Sequence, residues 1–104
     1  MDSLSDEPPD ESLSHHDEYL GRVRGLVISL WGILTAEESD RVEHLIDHGE
    51  PAEGMLTLAW IIVNEGKRVP AEAIAAIREL SRGLVPEEYM PPTLDEHVLK
   101  QGQT

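Results

Sequence analysis

The sequence contains no cysteine and no phenylalanine, and it has only two tryptophans and two tyrosines. Without cysteine, a disulfide framework, a thiolate metal site and a thiol nucleophile are all excluded. Because Leu, Ile, Val and Ala supply most of the apolar content, helix packing is favoured over a sheet, which would need more aromatic and β-branched residues. A chain of 104 residues has room for one domain with a thin core.

Long hydrophobic runs are also missing. The longest apolar stretch, residues 26–34, is far shorter than the roughly 20 residues that cross a bilayer. The first residues are acidic and free of Lys and Arg, unlike the start of a secretory signal. No glycine-rich phosphate loop, nucleophile elbow or carboxylate pair suited to acid–base chemistry is visible. We therefore predict a cytoplasmic protein that is not an enzyme, has no cofactor and does not enter a membrane.

Positive charge is scarce, since 8 Lys and Arg oppose 21 Asp and Glu and leave a net charge of −13. Nucleic-acid binding needs Lys and Arg to displace counterions, so the charge opposes it. The third predicted helix, which a helix-turn-helix would use for reading DNA, has neither residue type. The negative charge is typical of solvated ends that aid solubility. It is equally compatible with a field that speeds the encounter with a basic protein.

Hydrophobic spacing divides the remainder into helices. Residues 1–14 combine prolines, serines and acids and are predicted to be a disordered acidic tail. Residues 15–86 form the predicted helical domain, and residues 87–104, with four further acids and two adjacent prolines near their start, form an irregular C-terminal tail. We expect helices at about 15–34, 36–48, 51–65 and 70–82, joined by short links. The prediction is an all-α fold, a small antiparallel bundle of about four helices.

The helix ends carry specific signals. Thr35 and Glu38 have the spacing of a capping box at the start of the second helix. Glycine followed closely by proline marks two boundaries, with Gly49 before Pro51 and Gly66 before Pro70. Gly83 is placed to end the fourth helix.

The first predicted helix is apolar on more than one face. Its inner stripe is Leu20, Val23, Val27, Leu30, Trp31 and Leu34. Leu26, Ile28 and Ile33 widen that stripe beyond what one neighbouring helix covers. This helix is therefore expected either at the centre of the bundle or as the contact of a homodimer.

His44 and His48 lie four residues apart on the second helix, a spacing that lets two imidazoles face one metal ion. The glutamate that follows the first histidine in a zinc-protease helix is absent, and no third ligand is evident. We predict that no metal binds there.

The stretch from residue 42 to residue 84 resembles the small bacterial immunity proteins of the MafI type, which protect a cell from its own toxins. The resemblance is carried by Gly49-Glu50 at the end of one helix, by Leu56, Leu58 and Glu65 in the next, and by Ile74, Ile77 and Leu80 after that. It implies a protein that inhibits by binding and occluding a toxin domain.

Acidic residues around the junction of the second and third helices are the candidate partner-binding face: Asp40, Glu43, Asp47, Glu50 and Glu53. Such a face would complement the basic cleft of a nuclease-type toxin. The alternative is a helical scaffolding or dimerisation module that uses the first helix.

Overall fold

The computed structural model describes the backbone of residues 10–99 and the side chains of residues 16–99. This part of the chain contains α1 (Asp10–Ser29), α2 (Ala36–Asp47), α3 (Pro51–Asn64) and α4 (Ala71–Ser81), followed by 3₁₀ turns at Glu87–Tyr89 and Leu94–His97. The all-α bundle of four helices is confirmed. None of the helices within residues 10–99 combines the length and the apolar character that a membrane span requires.

Helix ends lie where the capping and glycine signals place them. The Thr35 hydroxyl accepts a hydrogen bond from the Glu38 N–H at 3.1 Å, and the Glu38 carboxylate accepts one from the Thr35 N–H at 2.9 Å. This reciprocal pair is the predicted capping box. Gly49, Gly66 and Gly83 have φ values of 80°, 62° and 79°, the left-handed backbone that ends a helix and favours glycine.

The first helix differs from its predicted bounds at both ends. Residues 10–14 belong to α1, although they were predicted to be part of the disordered tail, and residues 1–9 lie outside the described residues. At the other end α1 stops at Ser29, and the chain continues in hydrogen-bonded turns to Leu34. The buried face of α1 nevertheless continues through these turns, because Leu30 and Leu34 are buried.

The central helix of the bundle is α3, which contacts α1, α2, α4 and the 3₁₀ turn Leu94–His97. Its buried residues are Gly54, Met55, Leu58, Ala59, Ile61 and Ile62. A Cβ at Gly54 would come within 3.2 Å of the Ile46 side chain, so the glycine allows α2 and α3 to approach closely. The central position predicted as one possibility for the first helix belongs instead to α3, and the dimer contact remains a prediction.

Residues 87–99 pack onto the bundle, although the sequence analysis assigned them to a tail outside the helical domain. The Leu94 side chain is completely buried, and Met90 and Pro91 are buried beside it. The Val69 N–H donates to the His97 carbonyl at 2.9 Å, and the Leu99 N–H donates to the Val69 carbonyl at 2.7 Å. Apolar side chains and this backbone pairing bring the segment into the core, whereas residues 100–104 lie outside the described residues.

One largely buried ion pair joins the two ends of the α2–α3 hairpin. The Lys67 ammonium lies 2.9 Å from the Glu38 carboxylate, and the two side chains are only 13% and 12% exposed. Lys67 also donates to the Ile33 carbonyl at 3.2 Å. Burial alone would raise the pKa of the Glu38 carboxyl, but hydrogen bonds from Thr35 and Lys67 outweigh it and hold that pKa below its usual value.

Candidate protein-binding surface

Two rows of side chains face each other where α1 and the turn after it run antiparallel to α2. One row comes from α1 and the turn, the other comes from α2, and the residues of each row have the spacing of one helical face. We call them together the α1–α2 surface, which consists of Arg24, Ile28, Trp31, Asp40, Glu43 and Asp47. Arg24 is opposite Asp47, and Trp31 is opposite Glu43.

Trp31 is the most prominent side chain of this surface. It is 54% exposed, and Ile28 one turn before it is 53% exposed. The indole Nε1 donates a hydrogen bond of 3.2 Å to Glu43 Oε2, which fixes the orientation of the ring while leaving much of it in solvent. A large aromatic side chain held in place and open to solvent is a common feature of protein interfaces.

Grooves lie on both sides of the Trp31–Glu43 hydrogen bond. The larger has a volume of about 370 Å³ and is lined by Trp31, Leu34, Ala36, Ser39, Asp40 and Glu43. The smaller, of about 160 Å³, is lined by Arg24, Val27, Ile28, Trp31, Glu43 and Ile46. Of the two, only the smaller groove includes a basic residue among its lining, so the two differ in charge.

Asp47 differs from the other acids of the surface because it already has a basic partner. Its carboxylate accepts a hydrogen bond from Arg24 at 2.8 Å, and both side chains are about half exposed. An ion pair this exposed contributes little to stability. It nevertheless offsets the charge that Asp47 presents to a partner.

Two of the five predicted site residues lie apart from this surface. Glu50 and Glu53 are exposed at the start of α3, on the far side of the turn at Gly49. Among residues 16–99, no side-chain hydrogen bond or ion pair connects either of them to the α1–α2 surface. The structure thus brings Asp40, Glu43 and Asp47 together and leaves Glu50 and Glu53 at a separate position.

His44 and His48 stack on each other, with ring centroids 4.1 Å apart and ring planes inclined by 35°. The His48 Nδ1 lies 2.8 Å from the His44 carbonyl oxygen, so this nitrogen is engaged within the helix. Within the part of the chain that the structure describes, no group of three or more His, Cys, Asp or Glu is arranged to hold a metal ion.

A larger groove, of about 560 Å³, lies beyond the C-terminal end of α4 beside Met90. Arg78 in its lining is already bonded to Asp95 at 3.1 and 3.2 Å and lies 3.5 Å from Glu87. The Ser81 hydroxyl has no hydrogen-bond partner there, but it is buried and out of reach of a ligand. This groove is therefore a weaker candidate than the α1–α2 surface.

Trp31 is the residue of this surface that sequence reasoning misplaced. The helical stripe assigned it to the core beside Leu30, whereas only Leu30 is buried. Trp31 lies on the exposed helical face of Arg24 and Ile28, and not on the buried face that Leu30 continues. The exposure of Ile28 fits the widened stripe that the sequence showed, because its side chain lies outside the face that packs on the bundle.

No protein-family model, curated protein or solved structure matches this chain.

Proposed function

We propose that this chain is a non-enzymatic immunity protein of the bacterial cytoplasm, which binds a basic toxin domain and occludes it. The α1–α2 surface is the binding face in this proposal. The observation that carries it is the exposed Trp31, held by Glu43 and flanked by Asp40. The resemblance of residues 42–84 to MafI-type immunity proteins supplies the class of partner.

The physical properties of the surface support binding to a protein of opposite charge. Tryptophan is enriched among the residues that dominate binding energy, above all where neighbouring residues exclude water from it. The net charge of −13 and the acids beside Trp31 would steer a basic domain towards this face and raise its association rate. Glu50 and Glu53 would widen the negative field at the adjacent helix junction without touching the same groove.

Inhibition by this route needs no chemistry from the protein. A toxin that cleaves nucleic acid has a basic cleft, and covering that cleft, or the surface beside it, excludes the substrate. The requirement is a rigid surface of matching charge. The α1–α2 surface meets that requirement because the buried faces of both helices pack into the core.

Co-expression tests this proposal. The chain is produced together with the product of the neighbouring gene, and rescue of growth is scored with and without the chain. Asp40→Lys should weaken protection, because like charges at an interface cost several kcal/mol. Asp40 suits this test better than Asp47, whose reversal would also set two cations against each other at Arg24.

Glu88→Lys is the matched control, since it makes the same charge change at an exposed residue on the C-terminal segment. It should protect as well as the unchanged chain. If Asp40→Lys and Glu88→Lys lose protection equally, the effect is due to net charge, and the α1–α2 surface is not the binding face. Failure of the unchanged chain to protect against any linked toxin would end the immunity proposal.

A helical dimerisation module remains the second candidate, and the exposure of Ile28 and Trp31 on one face favours it. A second copy packed on this surface would bury both side chains, but it would also bring acids near acids. Light scattering separates the candidates. A dimer that Trp31→Ala converts to a monomer supports the module, whereas a monomer at all accessible concentrations contradicts it.

A further inference from the structure

The larger groove of the α1–α2 surface has the composition of a receptor for one guanidinium group. We propose that this groove receives an arginine side chain of the bound protein, stacked on the Trp31 indole and hydrogen-bonded to the Asp40 and Glu43 carboxylates. The inference rests on the proposed function for the source of the arginine. The groove alone supplies the chemistry that recognises it.

The indole provides the first part of the site. Its N–H is already bonded to Glu43 Oε2, so the ring is held in one orientation while more than half of its area stays accessible. A guanidinium over the face of an indole is attracted by the ring quadrupole, and tryptophan is the best of the aromatic side chains for this contact. The hydrogen bond to Glu43 thus prepares the ring for a cation.

Acceptors line the other sides of the groove. Asp40 and Glu43 contribute carboxylates, and Glu43 Oε1 is not used by the indole. Ser39 also lines the groove, although the residue is only 8% exposed. A guanidinium has five fixed N–H donors, which is enough for hydrogen bonds to both carboxylates. Leu34 and Ala36 leave an apolar wall for the methylene stem of an arginine.

The lining contains no basic residue that would compete. Arg24 lines only the smaller groove, on the other side of the Trp31–Glu43 hydrogen bond. The start of α2 is nearby, and the positive end of a helix dipole disfavours a cation. Glu37 and Glu38 in the first turn oppose that effect, and the Thr35 hydroxyl already accepts one of the free N–H groups.

Arginine fits this site better than lysine. A guanidinium is planar, so it can lie flat on the indole while its edge bonds to carboxylates, whereas an ammonium is a compact, strongly hydrated charge. The groove should therefore discriminate between the two cations as well as between a cation and a neutral side chain.

Nuclear magnetic resonance of the full chain, labelled with ¹⁵N, tests the site without any toxin. The probes are N-acetyl-arginine amide, the lysine analogue and the citrulline analogue, which keeps the shape of arginine but has no charge. The readouts are the two indole N–H signals, with that of Trp31 assigned by its loss in Trp31→Phe. Trp60, whose indole donates to the Tyr89 carbonyl, serves as the internal control.

The arginine probe should move the Trp31 signal saturably, the lysine probe should bind more weakly, and the citrulline probe should leave the signal in place. Asp40→Asn should weaken arginine binding about two- to five-fold, the range for losing one exposed charge contact. Glu88→Gln should leave binding unchanged, and the Trp60 signal should not move.

A Trp31 signal that ignores the arginine probe, or that responds equally to citrulline, overturns the inference whatever the toxin assay shows. If the Trp60 signal shifts as much as the Trp31 signal, the inference is also overturned, because the arginine probe then does not bind at the groove specifically. Arginine binding at Trp31 in a chain that protects against no linked toxin supports the groove while refuting the immunity proposal. The two claims therefore fail separately.

Discussion

The two tryptophans of this chain have similar chemistry and opposite structural roles. Trp60 on α3 donates its indole N–H to the Tyr89 carbonyl at 2.9 Å and is 37% exposed, so it attaches the C-terminal segment to the central helix. Trp31 donates to the side chain of Glu43 and presents most of its ring to solvent. One indole joins two parts of the fold, and the other is held in place without being covered.

The surroundings of the two residues differ in the same way. The region around Trp60 is tied by backbone pairing between Val69 and the segment 97–99, by the buried Leu94, and by Arg78 bonded to Asp95. The α1–α2 surface has only the exposed Arg24–Asp47 pair and the Trp31–Glu43 hydrogen bond. Most of the contacts that hold the C-terminal segment to the bundle therefore lie around α3, while the α1–α2 surface stays exposed.

Leu94 offers the largest expected effect on stability. Leu94→Ala should reduce the free energy of unfolding by about 2–5 kcal/mol, because it leaves a cavity where a fully buried side chain packs on α3. Urea unfolding measures the loss. Leu99→Ala, at an exposed position of the same segment, is the control and should cost less than about 0.5 kcal/mol. If Leu94→Ala lost as little unfolding free energy as Leu99→Ala, this segment would not be packed into the core.

The tryptophans themselves sharpen the comparison. Trp60→Ala should cost about 1–3 kcal/mol of unfolding free energy, since it removes both packing and a hydrogen bond to the C-terminal segment. Trp31→Ala should cost less than about 1 kcal/mol. Thermal or urea unfolding of the two variants side by side provides the measurement. A larger loss of unfolding free energy for Trp31→Ala than for Trp60→Ala would show that Trp31 stabilises the fold.

The Glu38–Lys67 pair connects the two regions, and its contribution should depend on pH. Glu38→Gln keeps the side chain that can complete the capping box but removes the charge, at a cost of about 1–2 kcal/mol near neutral pH. The folded-state pKa of Glu38 is lower than its ordinary value of 4.5. The stabilisation is therefore complete above pH 4.5 and disappears as pH falls through the folded-state pKa. Urea titrations should show the two proteins converging in acid; a constant gap would contradict the ion pair.

The N-cap of α2 should contribute less than the Glu38–Lys67 pair. Thr35→Ala should cost about 1 kcal/mol, because the Glu38 N–H loses the hydroxyl that caps the helix. Thr35→Ser, which keeps the hydroxyl, is the matched variant and should remain close to the unchanged chain. A neutral result for Thr35→Ala by urea unfolding would mean that the capping box adds nothing to this helix end.

Local signals in the sequence are sufficient to predict most of the helix boundaries. A capping box and three glycines fix ends by interactions within a few residues, so Thr35, Gly49, Gly66 and Gly83 could be interpreted without knowing the fold. Helical spacing likewise places Met55, Leu58 and Ile62 on one face of α3, and all three are buried.

Features that depend on distant contacts were not predictable in this way. The segment 87–99 has prolines and no helical period, and its place in the core depends on pairing with Val69. Likewise, periodicity places Asp40, Glu43 and Asp47 on one face of α2, but it does not show that Trp31 lies opposite them. Spacing also leaves the direction of Trp31 open, because it lies four residues after the buried Val27 and three residues after the exposed Ile28.

We propose that Trp31 is presented for a partner while Trp60 serves the fold. The most direct test is protection of growth against a toxin produced by a neighbouring gene, comparing Trp31→Ala with Trp60→Ala under conditions where circular dichroism shows both variants folded. The account predicts that Trp31→Ala loses protection, by the 2 kcal/mol or more that is roughly typical of a dominant interface residue, while Trp60→Ala still protects. Full protection by a folded Trp31→Ala variant would contradict it.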